Sequence, residues 1–223
     1  MSQYFISLIK NLMVLVIFAG FSLANAGSYD DFFSAIKQDN AGKVKELLTR
    51  GFDANTLDPK GQYGLYIALN EPSLKAAQVL IDWPKTDVNK LNANGESALM
   101  VAVLKGQQDL AEKLIKKGAD VNKTGWTPLH YAASSGQLAL ISLLLDNSAY
   151  IDAESPNRTT PLMMAAMYGT PAAVKLLLQE GADPKLKNQQ GLTALQFAQR
   201  GNRPDSVEAI AVFLRSKRPV GQW

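Results

Sequence analysis

The chain has 223 residues, 47% of them hydrophobic and 19% charged, with a formal net charge of +3 at pH 7; this excludes wholesale disorder and leaves ample length for a sizeable core. With no cysteine and a single histidine, His130, the chain excludes disulfides, thiolate metal sites and cysteine nucleophiles, and no metal or other cofactor is expected. A charge this small, with no long Lys or Arg run, sets aside a nucleic-acid partner.

The chain opens on a segment that reads as an address. Residues Met1 to Ala26 hold no Asp or Glu and one cation, Lys10, followed by the apolar run Leu12 to Phe21 and the small-x-small site Ala24-Asn25-Ala26. Charge, a short apolar run and A-x-A have the form of a secretory signal peptide cut after Ala26. The run is short for a bilayer span, which needs ~20 apolar residues. The rival reading counts the largely apolar Tyr4 to Ile9 with it and keeps the leader as a membrane anchor. No cysteine follows the run, so a lipid anchor of the bacterial type is excluded.

Beyond the leader the sequence repeats. Asp30-Asp31-Phe32-Phe33-Ser34-Ala35, Tyr63-Gly64-Leu65-Tyr66-Ile67-Ala68 and Ser97-Ala98-Leu99-Met100-Val101-Ala102 align. So do Thr127-Pro128-Leu129-His130-Tyr131-Ala132, Thr160-Pro161-Leu162-Met163-Met164-Ala165 and Thr193-Ala194-Leu195-Gln196-Phe197-Ala198. The closing alanines are spaced by 33, 34, 30, 33 and 33 residues, a phase that marks stacked modules. A second landmark keeps step: Gly51-Phe52-Asp53-Ala54-Asn55, Thr86-Asp87-Val88-Asn89, Gly118-Ala119-Asp120-Val121-Asn122, Ser148-Ala149-Tyr150-Ile151-Asp152 and Gly181-Ala182-Asp183-Pro184. An apolar cluster at helical spacing precedes each, as in Ile141-Leu144-Leu145 and Val174-Leu177-Leu178.

One unit can be assembled from these types. Pro128 and Pro161 suit the first position of a helix, where a missing N–H costs nothing. Alanine follows where helices approach closely. Gly106, Gly136 and Gly169 stand where that helix must end in the left-handed conformation, and Pro72 and Pro204 serve as stops in the second and sixth units. A second helix carries the Leu-Leu pairs. Polar turns such as Asn92-Ala93-Asn94-Gly95 and Asn188-Gln189-Gln190-Gly191 have hairpin chemistry.

Thr127-Pro128-Leu129-His130-Tyr131-Ala132-Ala133, Gly118-Ala119-Asp120-Val121-Asn122 and Thr160-Pro161-Leu162 resemble the ankyrin repeat family over about Ser28 to Lys217. The resemblance implies an all-α repeat solenoid of about six helix–turn–helix units, with β-hairpin fingers and a concave binding face. The expected organisation is a signal peptide over 1–26, a repeat domain over 27–217 and a flexible tail over 218–223. The units lie near 29–61, 62–95, 96–125, 126–158, 159–191 and 192–217. The first is an atypical cap without Thr-Pro, and Asp205 to Leu214 form a closing helix. The interval of 30 falls in the finger before Thr127, so that finger is expected to be stunted.

The sequence holds no phosphate-binding glycine motif, no nucleophile elbow and no His-Glu-x-x-His. The Asp30-Asp31 pair suits a helix start. The resemblance gives His130 a structural role, hydrogen-bonding between adjacent units. Met163 and Met164 read as core.

Carrying the family's variable positions across by phase gives the candidate protein-binding residues. On the fingers they are Lys60, Gln62, Asn94, Glu96, Trp126, Asn157, Thr159 and Gln190. On the first helices they are Asn70, Glu71, Lys105, Ser134, Ser135, Met167 and Tyr168. Trp126 either anchors a partner or folds into the gap left by the short finger. The chain is expected to be an exported, periplasmic, non-enzymatic module. Alone it is a monomer, with no membrane contact once the leader is cut, and it binds a protein partner. The resemblance extends to members that support periplasmic enzymes such as catalase and to immunity proteins that occupy a toxin's active site. The rivals are a membrane-tethered scaffold and an enzyme with an unrecognised carboxylate or serine site.

Overall fold

A computed structural model describes residues 27–216; the expected leader (1–26), the expected tail (218–223) and Lys217, the last residue of the expected repeat domain, lie outside the described residues. Among the described residues the structure is an all-α repeat fold: helices alternate with turns, and no β-strand forms. No helix there is long and apolar enough to cross a membrane. The chain divides into two compact units at Asp87 and Val88.

The first unit holds α1 (27–37), α2 (Ala41–Thr49), α3 (Gly64–Asn70) and α4 (Leu74–Asp82). Phe32 is its anchor, fully buried, with its ring 4.5 Å from that of Phe52 and 5.4 Å from that of Phe33. These rings lie against Gly64, which stands where the later repeats carry Pro or Ala: a Cβ there would lie 2.8 Å from the tip of Ile36 and 2.9 Å from the Phe32 ring. A side chain at Gly64 would require Ile36 and the Phe32 ring to shift.

The second unit stacks α5 (Ala98–Leu104), α6 (Gln108–Lys116), α7 (Pro128–Ser135), α8 (Leu138–Asp146), α9 (Pro161–Tyr168), α10 (Pro171–Gln179), α11 (Ala194–Arg200) and α12 (Pro204–Ser216). The first helix of each pair, α5, α7, α9 and α11, packs on its counterpart in the next pair. Ala102, Ala132, Ala165 and Ala198 are fully buried along that seam, as the 33-residue phase requires. Each of these helices starts on a capping box closed by Ser97, Thr127, Thr160 or Thr193. The second helices bury Leu110 and Leu114, Ile141 and Leu144, and Val174, Leu177 and Leu178.

The β-hairpin fingers are not formed as strands. Pairing is limited to one isolated bridge, Leu57 to Tyr63. In its place four fingers close on the same five-residue turn. The N–H of Asp58, Asn92, Ser155 or Asn188 donates to the carbonyl four residues on, at 2.7 to 3.0 Å. The side-chain oxygen of that same residue accepts the returning N–H, at 2.8 to 3.0 Å. The next helix begins two residues later, which leaves no length for a ladder. Four residues separate Asn122 from Thr127, too few for this turn.

Two helix stops differ from their sequence reading. Gly106 and Gly136 take the left-handed conformation, with φ of 69° and 67°, but Gly169 has φ −79°. Its glycine is required by close approach: a Cβ would run into the carbonyl oxygens of Ala133 and Ala165. Pro204 opens α12 rather than stopping the helix before it.

A row of side chains ties successive repeats together inside each unit. In the first, Asn55 accepts from the N–H of Asp87 (2.8 Å) and donates to the carbonyl of Lys85 (2.8 Å). In the second, Asn89 does the same with Asp120 and Gly118, and Asn122 with Tyr150 and Ser148. At the next rung the residue is Asp152, which accepts from the N–H of Asp183 (3.1 Å) but has no N–H to give. Partial burial and the nearby charge of Asp183 push the Asp152 carboxyl above its ordinary range, against the lowering effect of that N–H. An acid whose folded pKa is raised stabilises the fold at low pH and loses that contribution as pH rises. Asp152→Asn should therefore raise stability at pH 7 by about 1 kcal/mol, the worth of one hydrogen bond. A urea midpoint equal to or below that of the parent would refute this.

Candidate protein-docking surface

The 33-residue phase sets side chains of α7, α9 and α11 in register: Tyr131, Met164 and Phe197 form one row. Ser134, Met167 and Arg200 form a parallel row, with Leu104 of α5 ahead of them. Tyr168 is 57% exposed and Leu104 44% exposed, while Met164, Met167 and Phe197 are half-buried. Apolar side chains of this size left open in one cluster mark a contact surface.

Two grooves cross this face. One, of about 290 Å3, is lined by Leu104, Trp126, His130, Tyr131, Ser134 and Met164. The other, of about 270 Å3, runs over Met164, Met167, Tyr168, Leu192 and Phe197 to Gln190 and Arg200. Trp126 and Met164 line both, so they form the ridge between them.

Trp126 takes neither of its two expected positions outright. It is half-buried, with its ring centroid 5.2 Å from that of His130 in an edge-on contact at 75°. Its foot rests on the histidine and its remaining surface faces the grooves. His130 holds that foot in place. Its Nδ1 accepts from the Thr127 N–H (3.1 Å) and lies 2.9 Å from the Thr127 hydroxyl, while Nε2 donates to the carbonyl of Thr159 in the next repeat (2.9 Å). Burial pushes its pKa down to about 4, outweighing the carbonyls that favour the charged form. His130 is therefore neutral near pH 7 and structural, as the resemblance implied.

The structure spreads the other expected residues. Lys60, Gln62, Asn70 and Glu71 belong to the first unit, with Lys60, Asn70 and Glu71 exposed and Gln62 half-buried in its turn. In the second unit Asn94, Lys105, Ser135, Asn157 and Gln190 are exposed. Glu96 accepts from the Asn92 side chain (2.8 Å), and Ser134 donates to the Tyr131 carbonyl (2.9 Å). Trp126, Ser134, Asn157, Met167, Tyr168 and Gln190 line the grooves. Thr159 lines the second groove but is only 2% exposed, because its N–H and carbonyl close the finger turn and its carbonyl also receives His130. Met164 is corrected. Met163 is core at 1% exposure, but Met164, one residue on, turns about 100° around the helix onto the open face. Leu104, Tyr131, Leu192, Phe197 and Arg200 were not anticipated; the register Tyr131, Met164, Phe197 was the signal that could have found three of the lining residues.

Among the described residues no group of His, Asp and Glu could hold a metal. The groove walls offer one charged side chain, Arg200, whose guanidinium reaches the Gln190 amide oxygen at 3.4 Å. Such a wall binds by shape, apolar contact and one cation.

A family model described as ankyrin repeats (3 copies) matches residues 32–124, 74–155 and 129–216. Among solved structures, the chain is similar to one chain of a complex between a predatory endopeptidase from Bdellovibrio bacteriovorus and an immunity protein, at 32% identity and TM-score 0.71. That match covers 84% of this chain and 98% of the other. The ankyrin repeat domain of Bcl-3 matches at 29% identity and TM-score 0.70, covering 82% of this chain and 81% of that one. Among curated proteins, the B-cell lymphoma 3 protein homolog of Mus musculus is 32% identical over 163 residues, 70% of this chain and 36% of its own length. The nuclear factor NF-kappa-B p105 subunit of Gallus gallus is 32% identical over 165 residues, 71% of this chain and 17% of its own length. The chain thus spans about a third or less of the curated relatives named here.

Proposed function

This chain belongs to the ankyrin repeat family, and from that premise we propose that it is a non-enzymatic module that docks a partner protein on the finger-and-first-helix face of its second unit. The observation that carries this reading is the pair of apolar grooves on either side of Trp126. Large aromatics and methionines on a scaffold held by buried alanines are the residue types that anchor interfaces. No nucleic-acid role is included, because the walls offer too few cations to follow a phosphate backbone.

The partner in this reading is an exported enzyme that the module restrains. The similar chain of the Bdellovibrio complex is solved in an assembly of an immunity protein with an endopeptidase, which favours restraint over support. The leader-like sequence of residues 1–26 supports an encounter in the periplasm. Intact-mass measurement of the isolated protein should give a chain starting at Gly27; a retained Met1 would favour the membrane-tethered scaffold instead.

Trp126→Ala separates docking from packing. Removing the half-buried ring loses its edge-on contact with His130 and the apolar area it covers, about 2–3 kcal/mol of stability, and should weaken capture of the partner by tenfold or more. The comparison is a pull-down from periplasmic extract with parent and variant, alongside urea denaturation. Equal capture by both proteins would sink the assignment of this face. Turnover by the purified chain that disappears on carboxylate substitution would sink the non-enzymatic reading.

A further inference from the structure

We propose that the two grooves beside Trp126 accept one extended peptide segment carrying two bulky apolar side chains and a carboxylate. The apolar anchors seat on either side of the Trp126–Met164 ridge and the carboxylate pairs with Arg200. This rests on the docking face proposed above and specifies what it recognises.

The number of grooves sets the number of anchors. A closed cavity of ~150 Å3 accepts a benzene ring, so each groove, at about 290 and about 270 Å3, has room for one large side chain. The shared ridge sets their arrangement. Trp126 and Met164 belong to both walls, so the two anchors lie within one segment. Side chains of an extended chain alternate between its two faces, so two anchors straddling one ridge fit a spacing of about two or four residues, at ~3.3 Å each.

Charge sets the third element. Arg200 is the only charged side chain that lines either groove among the described residues, and no carboxylate faces it there. Its one recorded contact is a long one, 3.4 Å to a neutral amide. A guanidinium with a vacant fork beside an apolar wall is matched by a planar carboxylate, with which it makes two parallel hydrogen bonds. His130, the remaining titratable group behind the ridge, is buried and neutral near pH 7 and adds no competing charge. A single-stranded nucleic acid could stack on the same aromatics, but it needs a cationic track, and one Arg is not a track.

The test uses the full chain with 13C-methyl methionine, whose Met164 and Met167 methyl signals report on the grooves. The probes are 12-residue Gly/Ser peptides. One set holds two Phe spaced two or four residues apart with a following Asp; controls hold one Phe, or Lys in place of Asp. An oligothymidylate of 12 nucleotides is the remaining arm. The expected result is that the best two-Phe Asp peptide shifts both methyls and binds about tenfold more tightly than the one-Phe control. Exchanging Asp for Lys should weaken it about fivefold, and Arg200→Gln should erase that difference while leaving the two-Phe preference intact. Equal binding of one-Phe and two-Phe peptides, equal binding of Asp and Lys forms, or tighter binding of the oligonucleotide would each overturn the proposal. The periplasmic pull-down separates the two levels: partner capture lost in Trp126→Ala with no such peptide preference overturns this proposal alone, whereas capture unchanged in Trp126→Ala overturns the docking face as well.

Discussion

Acidification from neutral pH to pH 4 is expected to cost the fold about 3 kcal/mol through His130 alone. An unfolded chain takes up this proton near pH 6.5, but the folded one resists it until about pH 4. Across that window the unfolded state binds more protons, so falling pH favours unfolding. The stabilisation is complete above pH 6.5 and lost as pH drops through 4. A difference of about 2.5 pKa units at 1.36 kcal/mol each gives the ~3 kcal/mol. Burial is what resists the charge, and a proton on Nδ1 would also point at the N–H of Thr127, donor against donor. His130 is the only histidine in the sequence, so the assignment is clean. Asp152 works with the opposite sign, since its raised pKa favours the fold at low pH. Urea midpoints measured at half-unit steps from pH 7.5 to 4 should fall steadily below pH 6.5, and His130→Gln should flatten the curve from 6.5 to 5. An equal slope in both proteins would mean that the histidine is not the titrating group.

Gly169→Ala is expected to destabilise the second unit by about 3 kcal/mol, the upper end of what overpacking causes. The added methyl would meet the carbonyl oxygens of Ala133 and Ala165, and the Ala165 Cα at 3.0 Å. All are backbone atoms on α7 and α9, which cannot swing aside as a side-chain tip can. The Gly169 carbonyl also accepts from the Arg203 guanidinium, so displacing this turn disturbs the next repeat too. Gly95→Ala is the control for a turn glycine. It has φ 74° but open space around a Cβ, and should cost about 1 kcal/mol. A smaller effect at Gly169 than at Gly95 would show that close approach is not what selects this glycine.

The repeat architecture was legible because it rests on burial with a fixed period. The alanines at 68, 102, 132, 165 and 198 are all fully buried, since two helices can approach closely only over a small side chain. Pro128 and Pro161 open their helices where the sequence placed them, because a missing N–H costs nothing at a first helical position. The Asn55, Asn89, Asn122 and Asp152 positions were visible as a landmark, but not as cross-repeat rungs, because their partners lie about 30 residues away.

The docking face was legible only in part, since phase says which helix a residue rides on but not what stands beside it. Thr159 sits in a finger slot that looks exposed, yet the His130 of the preceding repeat draws it under cover. Met163 and Met164 are indistinguishable by type; one turn angle sends the first into the core and the second onto the ridge. By itself the sequence determined a stack of two-helix repeats, the positions of its core and its short finger, because each follows from apolar period, small-residue spacing and proline at helix starts. Only the tertiary structure decided that Trp126 divides two grooves, that Arg200 is their one charge and that Gly169 is held by crowding, because each depends on atoms brought together from repeats some thirty residues apart.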